Sequence, residues 1–339
     1  MPRPLTMKRV AAELGVSITT VSKVLNNRSD IGSTTRARVL AKVAELGYRP
    51  NVIARSLTLR RTRTLGIIVP DLMHSFFVEI LSGIESVARS RGYGLLICSS
   101  NEDPRREREE IDMLRQRQVD GIVLASTISA GNTDLLQELA AEGIGLVMID
   151  RDDYPSVRCD RVVTDDQLVG ELATRHLLDS GRRAIGHICG PPMAHARRRM
   201  IGYRHALKAH GLPARREWMA LGGFMVADGY RAMTKLLAVR PRIEAVFSAN
   251  DPSAIGAMKA IWDAKRRIPD DIAVIGAGDI MMGDLLRVPL STVSWSRNDL
   301  GKRAAELILE RVDPDPPDLP RRVIIPPYLV PRRSSGGEE

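Results

Sequence analysis

Residues 6–26, TMKRVAAELGVSITTVSKVLN, constrain this chain more than any other stretch. Two short amphipathic helical patterns meet there at a glycine, and a polar, basic face follows. Thr6 is placed to cap a first helix whose apolar positions Val10, Ala11 and Leu14 recur at spacings of three and four, and Gly15 supplies the left-handed residue that ends it. Ser17 caps the next helix. Val21, Val24 and Leu25 then point one way and leave Ile18, Thr19, Ser22, Lys23 and Asn26 on the opposite surface. This is the pattern of a helix-turn-helix. Its second helix enters a DNA major groove when the side chains at its start are small or polar enough to let the backbone approach base edges.

The charge distribution points the same way. Residues 1–64 hold 13 basic side chains against Glu13, Asp30 and Glu45, a net of +10, whereas the rest of the chain holds 37 basic and 38 acidic, a net of −1. A basic module on a near-neutral body suits phosphate contact, because each neutralised phosphate releases condensed counterions. An anionic membrane would need a long apolar or strongly amphipathic basic helix beside this charge, and the sequence has none.

Residues 33–64 complete the module. Ser33 or Thr34 is placed to cap a third helix with Val39, Val43 and Leu46 on its buried stripe, and Gly47 ends it. After the break at residues 48–51 comes a short helix-like segment, residues 51–59, followed by Arg60, Arg61 and Arg63. So short a helix is marginal alone in water, since nucleation is costly, and it forms only against a partner.

From Thr6 to Leu57, and again at Leu65-Gly-Ile-Ile-Val-Pro-Asp71, Phe76-Phe77, Arg199-Met-Ile-Gly-Tyr203, Ala249-Asn-Asp251 and Pro289-Leu-Ser-Thr-Val293, the chain resembles the lactose-repressor (LacI/GalR) family of bacterial transcription regulators. The resemblance covers nearly its whole length. It implies that Ile18 and Thr19 discriminate bases, that Lys23 reaches a base or phosphate, and that Ser17, Thr20, Ser22 and Asn26 position phosphates. It also implies that residues 51–59 are a hinge helix formed on the operator in the minor groove, with Leu57 as the apolar wedge and Arg55 beside it. Partners are then near-palindromic double-stranded operator DNA, a small-molecule effector and a second copy of the chain. The chain ends without the heptads of the family's tetramers, which favours a homodimer.

Apolar runs at residues 65–70, 94–99, 121–125, 146–149, 185–189, 245–248 and 272–276 alternate with helix-length segments. Such alternation means parallel sheets covered on both faces, an α/β fold of doubly wound type. By resemblance this body has two lobes like those of periplasmic sugar-binding proteins. The expected organisation is a headpiece at 1–50, a hinge and linker at 51–63, an effector-binding and dimerisation domain at 64–333 and a tail at 334–339. Lobe 1 would take 64–162 and 293–322, and lobe 2 would take 163–292 and 323–333.

Ligands of open parallel sheets bind beyond the carboxyl ends of strands. The residues there are polar and varied, among them Asp71, Asp150, Arg151, Asp251 and Asp279. Carboxylates and arginines at such places suit the hydroxyls of a sugar or polyol. The resemblance marks Phe76, Asp150, Arg199, Phe224 and Asp251 as contacts. Trp295 stands where many relatives have Gln, and a Trp there stacks on a sugar face or serves as buried packing. His195 and Arg197 to Arg199 place positive charge near the cleft, which suggests an acidic sugar or phosphorylated metabolite as effector. A different ligand class for the body, such as a nucleobase, is the alternative.

An enzyme is not expected. The turn after the first strand has no glycine for a dinucleotide fingerprint, and no phosphate-loop lysine, nucleophile elbow or zinc-protease motif occurs. The six His lack metal-ligand spacing, so neither cofactor nor metal is expected, and three dispersed Cys fit reduced thiols. A secreted solute-binding protein would need a signal peptide where residues 1–6 lead straight into the helix-turn-helix. The expected location is the bacterial cytoplasm, at the nucleoid.

Overall fold

A computed structural model describes residues 6–25, 28–48, 61–127 and 131–337. The chain divides into two units, Met1–Thr62 and Arg63–Glu339.

Among the described residues, the first unit contains three helices, α1 (Met7–Leu14), α2 (Ile18–Leu25) and α3 (Ser33–Glu45). Val10, Ala11, Val21, Val24, Val39 and Tyr48 form its core. Gly15 takes the left-handed conformation at φ 64°, as a sharp stop before the turn requires. Ser17 caps α2, its Oγ accepting from the Thr20 N–H at 3.0 Å. Two expected caps differ: Thr6 sits at the start of α1 with no side-chain bond, and Gly32, not Ser33 or Thr34, precedes α3.

The second unit holds two six-stranded sheets. Lobe 1 orders its strands β11-β5-β4-β3-β1-β2 and lobe 2 orders them β12-β10-β9-β8-β6-β7. The strands of lobe 1 are β1 (Thr64–Val69), β2 (Gly94–Ser99), β3 (Gly121–Leu124), β4 (Gly145–Ile149), β5 (Asp160–Thr164) and β11 (Arg322–Ile325). Those of lobe 2 are β6 (Ile185–Cys189), β7 (Met219–Leu221), β8 (Ala245–Ser248), β9 (Ala273–Ala277), β10 (Ser291–Ser294) and β12 (Tyr328–Val330). All pairings are parallel except β10 with β12. β5, β10 and β11 run to residues 164, 294 and 325, so the chain crosses between lobes two or three residues later than expected at each point.

In lobe 1, α4 (Ser75–Ser90), α5 (Pro104–Gln116), α6 (Thr133–Ala141) and α11 (Arg297–Arg311) cover the sheet; in lobe 2, α7 (Asp166–Asp179), α8 (Ala194–Ala209), α9 (Val226–Ala238) and α10 (Asp251–Asp263) do so. Reciprocal glycines set how closely three helix pairs pack. A Cβ on Gly170 of α7 would lie 2.1 Å from the Arg199 carbonyl oxygen, and one on Gly202 of α8 2.0 Å from that of Gln167. Gly229 and Gly256 bring α9 and α10 as near, and Gly83 and Gly301 do the same for α4 and α11. Backbones can approach so closely only where no side chain intervenes. The α7–α8 contact sets Asp166 against Arg199, and the α9–α10 contact sets Phe224 beside Asn250, so these glycines shape the cleft.

Candidate functional site

On the first unit, α2 presents Ile18, 47% exposed, next to exposed Thr19 at its amino end. A large apolar side chain held out at the start of a capped helix is available to a base edge and expensive to leave in water. The Ser17 and Thr20 hydroxyls bond each other at 2.9 Å, Ser22 is half-buried, and Lys23 pairs with Asp30 at 2.5 Å. Ser17, Ile18, Thr19, Thr20, Ser22 and Lys23 are thus gathered on one helix, whereas Asn26, Arg55 and Leu57 lie outside the described residues.

On the second unit, a cavity of about 100 Å³ opens between the lobes at the carboxyl ends of their strands. Asp71, Phe76, Asp150, Arg151, His195, Arg199, Phe224 and Trp295 all line it. Asp251 and Asp279, expected beside them, do not. Asp251 is turned into the lobe, where its Oδ1 accepts from Thr292 Oγ1 at 2.8 Å and its Oδ2 from the Ile280 N–H at 2.9 Å. Burial pushes its pKa up to about 6. Asp279 accepts from Arg332 Nη2 at 2.8 Å and from Ser294 Oγ at 3.1 Å. Both carboxylates brace the loop after β9, whose Ala277, Gly278 and Ile280 do reach the cavity.

Asp150 directly follows β4 with φ 61°, a left-handed conformation that Asp tolerates better than most residues. Its carboxylate accepts no hydrogen bond from a described residue, and the nearest cation is Arg151 Nε at 3.8 Å. Burial raises its pKa, opposed by Arg151 and Arg199. Arg151 is spent elsewhere. Its Nη1 and Nη2 donate to the two Glu102 carboxylate oxygens at 2.9 and 2.8 Å, and Nη1 also donates to the Ser126 carbonyl at 2.8 Å. Arg199 donates through Nε to Asp166 at 2.9 Å and through Nη1 to the Ala249 carbonyl at 2.6 Å. Asp166, the first residue of α7, is pushed up to about 6 by burial against this arginine's opposing charge.

The positive charge expected from residues 195–199 is therefore absent from the cavity as free charge. Burial drives the His195 pKa well below its ordinary value, with Arg199 and Arg151 adding to the shift, so the imidazole is neutral. Arg197 is exposed, and Arg198 donates to both Asp152 oxygens, at 2.8 and 3.1 Å. That last pair joins lobe 2 to lobe 1. Beside it the Ala194 N–H, at the start of α8, donates to Asp153 Oδ1 at 2.7 Å.

The remaining walls are aromatic. Trp295, 2% exposed, lies on the crossing from β10 to α11, with Phe76 edge-on at 5.7 Å and the Arg199 guanidinium 5.2 Å from its ring. His195 stacks on Phe224 at 5.2 Å, and Arg151 reaches across from lobe 1 to within 5.7 Å of the same Phe224 ring. His195 Nδ1 and Trp295 Nε1 have no hydrogen-bond partner among the described residues. Asn250, one of the polar residues that follow strands, also lines the cavity, and so does Glu102, which was not singled out in the sequence although it lies just after a strand end. Asp166 and Asp152 carried no sequence signal at all, because their arginine partners lie far along the chain. No cluster of three or more potential metal ligands occurs among the described residues.

Residues 6–51 match the family described as bacterial regulatory proteins, lacI family, and residues 62–333 match that of periplasmic binding proteins and the sugar binding domain of the LacI family. The ribose operon repressor of Escherichia coli (strain K12) is 34% identical over 332 residues, 97% of this chain and 99% of that protein. The HTH-type transcriptional repressor PurR of Haemophilus influenzae (strain PittEE) is 33% identical over 335 residues, 97% of this chain and 98% of its own. Among solved structures, a complex of the transcriptional regulator CelR with cellobiose superposes with a TM-score of 0.75 at 29% identity, covering 97% of this chain and 99% of the other. A helix-turn-helix headpiece and a two-lobed α/β body, each matched along nearly its whole length, place the chain in the LacI family of bacterial regulatory proteins.

Proposed function

We propose that this regulator is a homodimeric repressor of operator DNA whose effector is a neutral, polyhydroxylated molecule of about the size of a monosaccharide. The Asp150 carboxylate carries this reading. It faces the cavity without a hydrogen-bond donor, while both cleft arginines are committed to Glu102 and Asp166. An anion would have to displace one of those carboxylates from a low-dielectric site, which costs more than the new pair returns. Hydroxyl groups instead donate to Asp150 and meet the unpartnered His195 Nδ1, and Phe76, Phe224 and Trp295 offer apolar faces to ring carbons. The acidic-sugar reading, based on residues 195–199, loses its support once those charges are seen to be neutral, exposed or paired.

Residues 1–50 act as the DNA-reading headpiece, 51–63 as hinge and linker, and 64–333 as the effector-binding and dimerisation body. Ile18 and Thr19 read base edges, and Ser17, Thr20, Ser22 and Lys23 position the backbone. Effector binding between the lobes shifts their relative rotation and so biases the paired hinges, with the reciprocal effect of operator on effector affinity. Exposed apolar side chains on both lobes, Met73 and Leu221 among them, are surface for a second copy to cover.

Isothermal titration of the full chain with pentoses and hexoses, then with uronic acids and sugar phosphates, tests the effector class. A neutral sugar is expected to bind, and Asp150→Asn, which keeps the left-handed backbone, to weaken it at least about tenfold. Tighter binding of a uronic acid or sugar phosphate overturns the reading. Selection of duplexes from a random pool tests the headpiece: Ile18→Ala or Thr19→Ala is expected to change the selected sequence, and an unchanged selection removes their base-reading role.

A further inference from the structure

Three neighbouring strands of lobe 2 are each preceded by basic residues: Arg182 and Arg183 before β6, Arg240 and Arg242 before β8, and Lys265, Arg266 and Arg267 before β9. Because β6, β8 and β9 lie side by side and run parallel, these loops meet at the amino end of the sheet. The effector cleft lies at the opposite, carboxyl end. Cross-loop bonds hold the cluster together. Glu244 Oε2 accepts from the Arg183 and Ala184 N–H groups at 2.8 and 3.2 Å, and Arg182 Nη2 donates to the Pro269 carbonyl at 2.9 Å.

A second cavity, of about 420 Å³, opens among these loops. Leu236, Leu237, Ile243 and Ile272 contribute apolar surface. Three arginines, Arg182, Arg242 and Arg266, stand around it with three carboxylates, Glu244, Asp270 and Asp271. The carboxylates at this end are already engaged, Glu244 by the two amides and Asp270 and Asp271 by Arg267 at 3.3 and 3.0 Å. Among the described residues, no carboxylate lies within ion-pairing distance of Arg182, Arg242 or Arg266. This inverts the effector cleft, where each lining arginine has its carboxylate.

We propose that this basic pit is a second ligand site, taking a small polyanion of the pyrophosphate class. Planar guanidinium forks match phosphate oxygens bidentately, and several of them around one concavity favour a multiply charged group over a monoanion. The pit is compact and its lining more polar than apolar, which fits a small, highly charged ligand better than an extended acidic chain. Lying at the far end of the sheet, the site is occupied without competing with the effector.

The test is calorimetric titration of the full chain with inorganic pyrophosphate at low ionic strength, repeated with a nucleoside diphosphate to separate the free anion from one carried on a nucleoside. One saturable site per chain is expected. Arg242→Gln/Arg266→Gln, at exposed and half-exposed positions, should weaken it at least about tenfold with the melting temperature of the ligand-free protein unchanged. Lys23→Ala, on the basic headpiece, should leave it intact. The double lysine variant Arg242→Lys/Arg266→Lys keeps the charge and should retain part of the affinity, which separates charge recognition from a fold defect. Binding that does not saturate, or that survives the double Gln variant, overturns the proposal. So does capture of heparin through these arginines without pyrophosphate binding, which would make the surface a polyanion-binding face.

Discussion

In lobe 2 the helices after β7 and β8, α9 and α10, meet backbone to backbone, whereas the equivalent helices after β2 and β3 of lobe 1, α5 and α6, are joined at the surface by ion pairs. A Cβ on Gly229 or Gly256 would lie 1.9 Å from a carbonyl oxygen of the opposite helix. Neither α5 nor α6 contains a glycine; Arg108 instead reaches Asp134, and Arg115 reaches Glu142 and, at 3.8 Å, Glu138. Both pairs use an asparagine at the start of the second helix to tie the first. Asn250 Nδ2 donates to the Phe224 carbonyl at 3.0 Å, and Asn132 Nδ2 to the Pro104 carbonyl at 2.9 Å. The lobe 2 pair therefore has a steric interlock that the lobe 1 pair lacks. Lobe 1 instead adds exposed ion pairs to a buried Asn132–Glu107 bond at 2.9 Å and a shared apolar core, so the two should answer differently to mutation and salt.

The largest expected effect comes from filling the interlock. Gly229→Ala forces α9 away from the Ser253 carbonyl and should cost about 3 kcal/mol of stability, read by urea denaturation. Effector affinity should fall with it, because Phe224 and Asn250 lead into the two displaced helices. A loss below about 1 kcal/mol would mean that the helices part easily and that the contrast between lobes is one of appearance.

The cores of the lobes differ at one matched position. β1 and β6 occupy equivalent places and begin alike, Leu65-Gly66-Ile67 against Ile185-Gly186-His187, with an imidazole where lobe 1 has an aliphatic chain. His187 is fully buried between Tyr203 at 5.0 Å and Phe247 at 4.8 Å, and its Nδ1 lies 3.0 Å from the Phe247 carbonyl. Burial lowers its pKa from 6.5 to about 4. Between those values the native state holds fewer protons than the unfolded chain, so its contribution to stability is complete above pH 6.5 and is lost as the pH falls. The loss amounts to roughly 3 kcal/mol by pH 4. Asp166 and Asp251, raised from 3.8 to about 6, act in the opposite sense, since the native state then holds the extra protons. The His187 share is isolated by His187→Phe, which keeps both ring contacts. Melting temperature should fall less between pH 6.5 and 4.5 in the variant than in the parent, and parallel curves would remove the imidazole as the cause.

What the sequence shows of this arrangement follows from which interactions are local. All seven apolar runs became strands within a residue or two, because burial on both faces writes a continuous hydrophobic signal. β10 left none: it is wholly buried although three of its four residues are Ser or Thr. Its hydroxyls are satisfied by Arg332, Asp251 and Asp279, all distant in the chain. The site divides in the same way. Asp150 and Phe224 are legible from their places after strands or by resemblance, but nothing near Arg151 reveals that Glu102, 49 residues earlier, neutralises it. Asp251 and Asp279 were misplaced for the converse reason. A carboxylate after a strand can face a ligand or brace the next loop, and only the Ile280 amide and Arg332 decide between them.

The smallest effect sharpens the comparison from the other side. Arg115 and its partners Glu138 and Glu142 are all more than a third exposed, so solvent and salt screen most of their attraction. Arg115→Ala should cost less than about 1 kcal/mol at low ionic strength, and the difference from the parent should vanish near 1 M salt. The Gly229→Ala penalty, being steric, should persist there. If the Arg115→Ala loss instead equals that of the glycine variant and resists salt, the α5–α6 pair has a second contact as firm as the backbone interlock. The two lobes would then be alike in how they hold their helices as well as in topology.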